Sequence, residues 1–228
     1  MSWQPFWLTA QLAALTTLLL LLLCIPLAWW LVWVAPARQR RRKVLVEVLC
    51  TLPLVLPPTV LGFYLLLAFS PASWFGHWLQ QTFSLRLAFS FSGLVIGSVL
   101  FSLPFMLQPL LGGFRQIPAA LIEASRCCGK SEWITLWRVL LPLSRPALLA
   151  GVVLSFAHTV GEFGVVLMLG GNIPGETRVA SIALYQEVEA LNYAAAHRYA
   201  LALVVFAFVV LLGLRWLQQA SARRQDRH

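Results

Sequence analysis

Several stretches of this sequence are long enough and apolar enough to cross a lipid bilayer, and that limits the fold more than any other feature. A crossing takes about 20 mostly apolar residues. Runs of that size recur along the 228 residues. The composition agrees: 60% of the chain is hydrophobic and 11% is charged, against roughly 25% charged in a soluble domain. The expected fold is therefore all-α, a polytopic membrane protein of about five spanning helices forming one transmembrane domain over residues 1–228. The spans are expected at about 12–34, 44–69, 87–111, 146–169 and 199–217, with a polar segment at 112–145 that does not cross. The first run is read as a retained helix and not as a cleaved leader. No Lys or Arg precedes it, it exceeds a leader's apolar core, and arginines follow it where a small-residue cleavage site would stand.

A net charge of +9 would suggest a polyanion partner in a soluble protein. Here the cations sit at the ends of apolar runs, which points to membrane orientation and away from nucleic acid. Fourteen of the seventeen Lys and Arg fall in the first loop (Arg38, Arg40, Arg41, Arg42, Lys43), the third loop and the C-terminal end. Arg86, Arg178 and Arg198 lie on the other side. The side with the excess is expected to be cytoplasmic. This puts the N-terminus outside and the C-terminus inside, as an odd number of spans requires.

The spans contain more than leucine. The third carries Ser90, Gly93, Gly97, Ser98 and Ser102, small residues that let helices approach closely in lipid. The second holds Pro53, Pro57 and Pro58. Each proline removes a backbone donor and frees a carbonyl, and such a carbonyl must face protein or a watery cavity. Broken helices of this kind often line a solute path. Trp29, Trp33, Trp74 and Trp216 are expected in interfacial belts. Of the four cysteines, Cys127 and Cys128 are adjacent, and no metal-ligand or disulfide pattern appears.

Residues 112–145 are too polar to span and too patterned for a plain linker. Pro118 suits the first turn of a helix running to Cys128. Gly129 suits its end, and Ser131 suits the cap of a second helix ending near Pro142. The product is a helix–turn–helix exposed to the cytoplasm. Its Trp133 and Trp137 would fit a partner's groove or lie on lipid headgroups. Cys128-Gly129-Lys130-Ser131 carries the ending of a phosphate-binding loop, but Ala124 stands where that motif needs glycine. The chain is therefore expected to bind no ATP.

Glu123-Ala124-Ser125, then Gly129, then Val139-x-Leu141-Pro142 resembles the EAA loop of ATP-binding cassette import permeases, with the spacings intact. Ser125 stands for the second Ala and Val139 for Ile. Three further segments are similar to the molybdate branch of those permeases, which is related to sulfate and tungstate permeases. They are residues 52–58 (Leu-Pro-Leu-Val-Leu-Pro-Pro), Gly161-Glu162-Phe163-Gly164, and Asn172-Ile173-Pro174-Gly175-Glu176-Thr177-Arg178. One departure is His158, where the branch often has Arg.

The resemblance implies a type I importer permease fold in a bacterial inner membrane. It implies a complex of two permease copies, two ATP-binding subunits that use ATP and Mg, and a periplasmic molybdate-binding protein. No cofactor or metal is expected on this chain. Glu123, Ala124, Ser125, Gly129, Val139, Leu141 and Pro142 would couple to the ATPase. Asn172, Pro174, Gly175, Glu176, Thr177 and Arg178 would form the outer mouth or touch the binding protein.

The expected pathway residues are Pro53, Pro57, Pro58, Ser98, Ser102, His158, Thr159 and Glu162. Glu162 would repel an oxyanion, so a gating or packing role is expected, with His158 four residues earlier as its partner. Alternatives to molybdate are tungstate, sulfate or another solute such as an amino acid. A membrane enzyme would need clustered catalytic groups, and His77, His158, His197 and His228 are scattered. A reporter active only outside the cytoplasm should be active when fused to the N-terminus; activity of a cytoplasm-only reporter there would overturn the orientation.

Overall fold

Proline and polar residues, more than apolar length, decide where each helix starts, bends and stops. The computed structural model describes residues 2–34 and 39–225, with residues 217–225 given as backbone only. Arg38, Arg227 and His228 lie outside the described residues. Helix α1 (Gln4–Trp29) begins eight residues before the expected Leu12. Pro5 sits in its first turn, where a missing donor costs nothing. The polar Thr9 turns its hydroxyl back onto the Pro5 carbonyl at 2.7 Å. Pro26 lies inside the helix, which runs on through a π-helical turn at Trp30–Val34.

The expected second span, 44–69, is not one rod. Helix α2 (Arg40–Thr51) and a 3-10 turn (Leu52–Leu54) meet α3 (Pro58–Phe69) at 108°. Pro57 is extended, with ψ 134°. The clash that a following proline imposes pushes a residue into that region, and Pro58 follows Pro57. Helix α4 (Trp74–Phe83) occupies the expected outer polar stretch and is capped by Ser73, which accepts from the Gly76 amide at 2.9 Å.

Helix α5 (Phe91–Arg115) starts four residues later than the expected Leu87, because Ser90 caps it by accepting from the Gly93 amide at 3.2 Å. It contains Pro104 and Pro109 and reaches past the expected Leu111. Helix α6 (Ala119–Cys127) follows, and Pro118 precedes it as an extended cap instead of forming its first turn. Next come α7 (Glu132–Thr135), a π-helical turn (Leu136–Leu140) and α8 (Leu141–Leu143). The chain was expected to stop near Pro142. The helix ends at Leu143, one residue past the proline, after a π turn in which the Leu141 amide reaches the Leu136 carbonyl.

The expected fourth span, 146–169, is also broken. Glu162 and Phe163 divide α9 (Arg145–Gly161) from α10 (Gly164–Gly170) within it, and a 78° bend just ahead of it separates Leu143 from α9. Helix α11 (Ala180–Glu189) precedes α12 (Tyr193–Gln225), which contains the last span. Among the described residues, three helical stretches are long and apolar enough to cross alone: Gln4–Val34, Phe91–Arg115 and Tyr193–Trp216. Counting each bent pair as one span brings the total to five.

Helices α1, α5 and α9 form the centre, around Leu12, Leu20, Leu94, Leu107, Leu110 and Phe114. In lipid, close packing holds such helices together in place of a hydrophobic drive. Trp29 and Trp33 are half-buried against this core, and Trp29 meets Trp133 of α7 at 5.5 Å. Trp74 and Trp216 point outward, 83% and 66% exposed.

Contacts sort the loops into two ends. Arg115 grips both oxygens of Glu47 in α2 at 2.9 and 3.1 Å. This pair and the Trp29–Trp133 contact bring the two basic loops to one end. At the other end, Phe6 stacks on Tyr199 at 5.4 Å, and the Ala180 amide donates to Thr9 Oγ1 at 2.8 Å. Two of the three charge clusters expected on one side, those of the first and third loops, therefore share one end of the bundle.

Gly62 of α3 packs so close to α10 that an added Cβ would lie 2.8 Å from Met168 Cβ and 3.1 Å from Val165 Cα. Gly62→Ala should lower stability by about 1–3 kcal/mol, read as a drop in the thermal midpoint of the purified protein. Gly112→Ala on α5, where a Cβ meets nothing within 4 Å, should be neutral or gain up to about 1 kcal/mol.

Candidate functional site

The two broken spans meet. A Cβ on Gly164, at the start of α10, would lie 2.6 Å from Pro58 Cβ at the start of α3. Only glycine allows that approach. The proline-rich segment and the Gly161–Gly164 segment, about a hundred residues apart, thus form one junction. Helix α10 is held from its other side by α5, where Gly97 faces Leu169 and Val165. Gly93 was expected to share that packing role. It serves the turn before α5 instead, against the Leu87 backbone.

Glu162 lies at the break and is 4% exposed. Its backbone has left the helix, with ψ 134°. Ser181 of α11 donates to its carbonyl at 2.6 Å, so a side chain replaces the lost helical partner. Neither carboxylate oxygen has a hydrogen-bond partner. Ser98 stands one helical turn before Ser102, which meets Thr159 of α9 at 3.1 Å, so it lies on the face of α5 toward the break, and its buried hydroxyl is also unpartnered.

His158 was expected to pair with Glu162, and it does not. Its Nδ1 meets Ser102 Oγ at 2.9 Å, and its ring stacks on Phe105 at 3.8 Å. Ser102 also meets Thr159 Oγ1 at 3.1 Å. Because the helix unwinds after Gly161, Glu162 is no longer one helical turn above His158. Ser98, Ser102, Thr159 and Glu162 are buried between α5 and α9. Pro57 and Pro58 are exposed on this chain and Pro53 is half-buried. The sequence reading missed Ser155, Ser181, Phe101 and Phe105. Ser155 had a signal, since it stands one helical turn before Thr159 and its carbonyl accepts from the Thr159 hydroxyl at 2.9 Å.

The 172–178 segment is more than a simple turn. The amides of Glu176, Thr177 and Arg178 all donate to the Ile173 carbonyl. Buried Thr177 donates to the Gly170 carbonyl at 2.7 Å and accepts from the Ile173 amide at 3.0 Å. Arg178 donates to Asn172 Oδ1 at 2.5 Å. Pro174 and Gly175 are exposed at the tip, where Gly175 has φ 81° and lies against Gln4. Glu176 reaches an open cleft of about 820 Å³ that also holds Arg86, Gln80 and Ser90.

At the basic end, α6 and α7 form an elbow. Gly129 has φ 69° and open space around it. Its amide donates to the Arg126 carbonyl at 2.9 Å, and the Lys130 amide donates to the Ser125 carbonyl at 3.2 Å. These two bonds make a Schellman ending for α6. Ser131 caps α7 by accepting from the Ile134 amide at 3.3 Å. Ser125 Oγ meets Thr135 Oγ1 at 2.8 Å, locking the two helices, while Ile122 is buried beneath them. Glu123 and Ala124 are exposed, Val139 is half-buried, Leu141 is buried and Pro142 is half-buried. The Arg126–Glu132 pair at 2.8 Å is exposed and contributes about 0–1 kcal/mol.

Residues 32–227 match the family model described as "Binding-protein-dependent transport system inner membrane component". The chain is 47% identical over 208 residues to the molybdenum transport system permease protein ModB of Azotobacter vinelandii, covering 91% of this chain and 90% of that protein. It is 30% identical to the ModB of Escherichia coli K12, covering 98% of each. Its fold matches a chain of a bacterial alginate ABC transporter with a TM-score of 0.74 and 21% identity, covering 92% of this chain and 76% of that one.

Ser102 and His158 should be energetically coupled. A double-mutant cycle of Ser102→Ala and His158→Phe should give about 0.6 kcal/mol, the average for hydrogen bonds between helices in a membrane. A cycle between His158 and Glu162 should be additive within about 0.5 kcal/mol.

Proposed function

The chain belongs to the family of binding-protein-dependent transport system inner membrane components, and from that premise we propose that it is the permease subunit of an ATP-driven molybdate importer. The observation that carries this reading is the exposed α6–α7 elbow, built on the Glu123–Pro142 pattern at the basic end of the bundle. Identity to the molybdenum permeases supports the substrate. The chain itself is a membrane component and not an ATPase. ATP and Mg are used by two separate ATP-binding subunits.

The elbow can transmit force because it is stiff. The Schellman turn and the Ser125–Thr135 bond hold α6 to α7, and α7 runs through the π turn and α8 to the 78° bend into α9. A push on α6 therefore reaches α9 directly, and α5 through Phe114 and Leu110 in the shared core. ATP binding closes the ATPase pair and draws the two elbows of a dimer together. The spans then rock between inward-open and outward-open states.

The break at Leu56–Pro58, with Pro57 and Pro58 exposed, supports a pathway between two copies of the chain. Backbone freed by proline cannot face lipid, so it faces water or a second subunit. The 172–178 loop and the cleft beside it face the opposite end, where a periplasmic binding protein delivers the oxyanion. The N-terminus lies on that outer side, and the C-terminus lies in the cytoplasm.

Labelled molybdate should enter vesicles holding the permease, its ATPase and its binding protein when ATP is present on the ATPase side, and excess sulfate should not suppress it. Suppression by sulfate, or no molybdate uptake by an intact complex, would move the substrate elsewhere. Glu123→Lys should leave the protein in the membrane and lower ATP-driven uptake by about tenfold or more, through a charge reversal at a protein contact. Normal uptake by this variant would remove the coupling role.

A further inference from the structure

We infer that Glu162 and Ser98 form a monovalent-cation site, filled by a proton or by sodium, at the break between α9 and α10. Glu162 is 4% exposed and Ser98 is fully buried. Both carboxylate oxygens and the Ser98 hydroxyl are without hydrogen-bond partners. The ion pairs among the described residues, Arg115–Glu47 and Arg126–Glu132, sit at the far, basic end of the bundle. A bare carboxylate in such surroundings, with no counter-charge, is strongly disfavoured. Among the described residues of this chain no side chain neutralises it.

The surroundings select a cation. Glu162 caps the C-terminal end of α9, where the helix dipole is negative and the last carbonyls lose the amides that would continue the helix. Both features repel an anion; α10, which starts at Gly164, opposes them with a dipole of only seven residues, and the Glu162 carboxylate is itself an anion. A proton would turn the carboxylate into an acid able to donate to Ser98. Sodium would take the carboxylate, the Ser98 hydroxyl and carbonyls of the broken helix, the ligand set that unwound membrane helices offer.

No other titratable group takes this role. On α9, Arg145 lies at the opposite end and His158 is bonded to Ser102 and stacked on Phe105. On α5 the one titratable residue is Arg115, held by Glu47. Helix α10 has none, and α3 has Tyr64, which is 63% exposed. On α11, Tyr185 packs on Phe163 at 5.0 Å, and Glu187 and Glu189 are acids. Cys24 of α1 is buried in the core, and on α12, which also packs on α9, His197 and Arg198 are exposed and the Tyr199 hydroxyl meets Ser2. Among the described residues, none of these is bonded to the Glu162 carboxylate.

The test uses the assembled complex of permease and ATPase in lipid nanodiscs, comparing wild type, Glu162→Gln and Ser98→Ala. If the cation is a proton, the infrared difference between wild type and Glu162→Gln shows a protonated carboxylic acid at neutral pH. That band disappears as pH is raised. If it is sodium, the wild-type melting temperature rises with sodium chloride relative to choline chloride at equal ionic strength, and that of Glu162→Gln does not. Ser98→Ala keeps the carboxylate and should shift the midpoint of whichever titration is observed by about tenfold, the effect of losing one hydrogen bond to a charged group. Should Glu162→Gln fail to assemble, the titrations of wild type and Ser98→Ala decide the matter alone. An ionised Glu162 in folded wild type with no sodium-specific shift overturns the proposal, and so does a Ser98→Ala midpoint equal to wild type.

Discussion

Every backbone amide and carbonyl inside a bilayer must find its partner within the protein, and the architecture depends on how this chain meets that demand where its helices break. At the first break the prolines remove donors, so fewer groups need satisfying, and the 3-10 turn at Leu52–Leu54 takes up part of the bend. At the second break no proline intervenes. Ser181 donates to the Glu162 carbonyl across from α11, so a side chain supplies the bond that the helix gave up. The two breaks then pack on each other at Pro58 and Gly164.

That packing joins distant parts of the chain. Ser181 belongs to α11, whose first amide is held by Thr9 of α1. Helix α11 in turn follows the 172–178 loop, which Thr177 ties to the end of α10. The 172–178 loop, the break beside Glu162 and the first helix are therefore tied to one another by hydrogen bonds. At the other end, the elbow continues into α9, the helix that ends at the same break. A rigid link from elbow to break is what an alternating-access permease needs, because force applied at one face must change packing near the middle.

Much of the architecture was legible in the sequence. Apolar run length located the spans, because crossing a bilayer is a matter of length and polarity summed over about 20 residues. Gly129 and Ser131 were readable as a stop and a cap, because a left-handed turn and an N-cap depend on the residue and its immediate neighbours. Other local readings were displaced. Pro118 stands before its helix as an extended cap and does not form its first turn. Helix α1 began early, since Pro5 and Thr9 fit a first turn.

The sequence by itself determined the all-helical membrane class, the shared end of the basic loops and the positions of the elbow residues, because each follows from composition or spacing within a few turns of chain. Only the tertiary structure decided that α9 unwinds at Glu162, that His158 turns to Ser102 and Phe105, and that Pro58 meets Gly164. Those outcomes depend on which residues of other helices stand opposite. Helical spacing put His158 and Glu162 on one face, and that spacing ceased to apply once Ser181, nineteen residues further on, offered the carbonyl another donor.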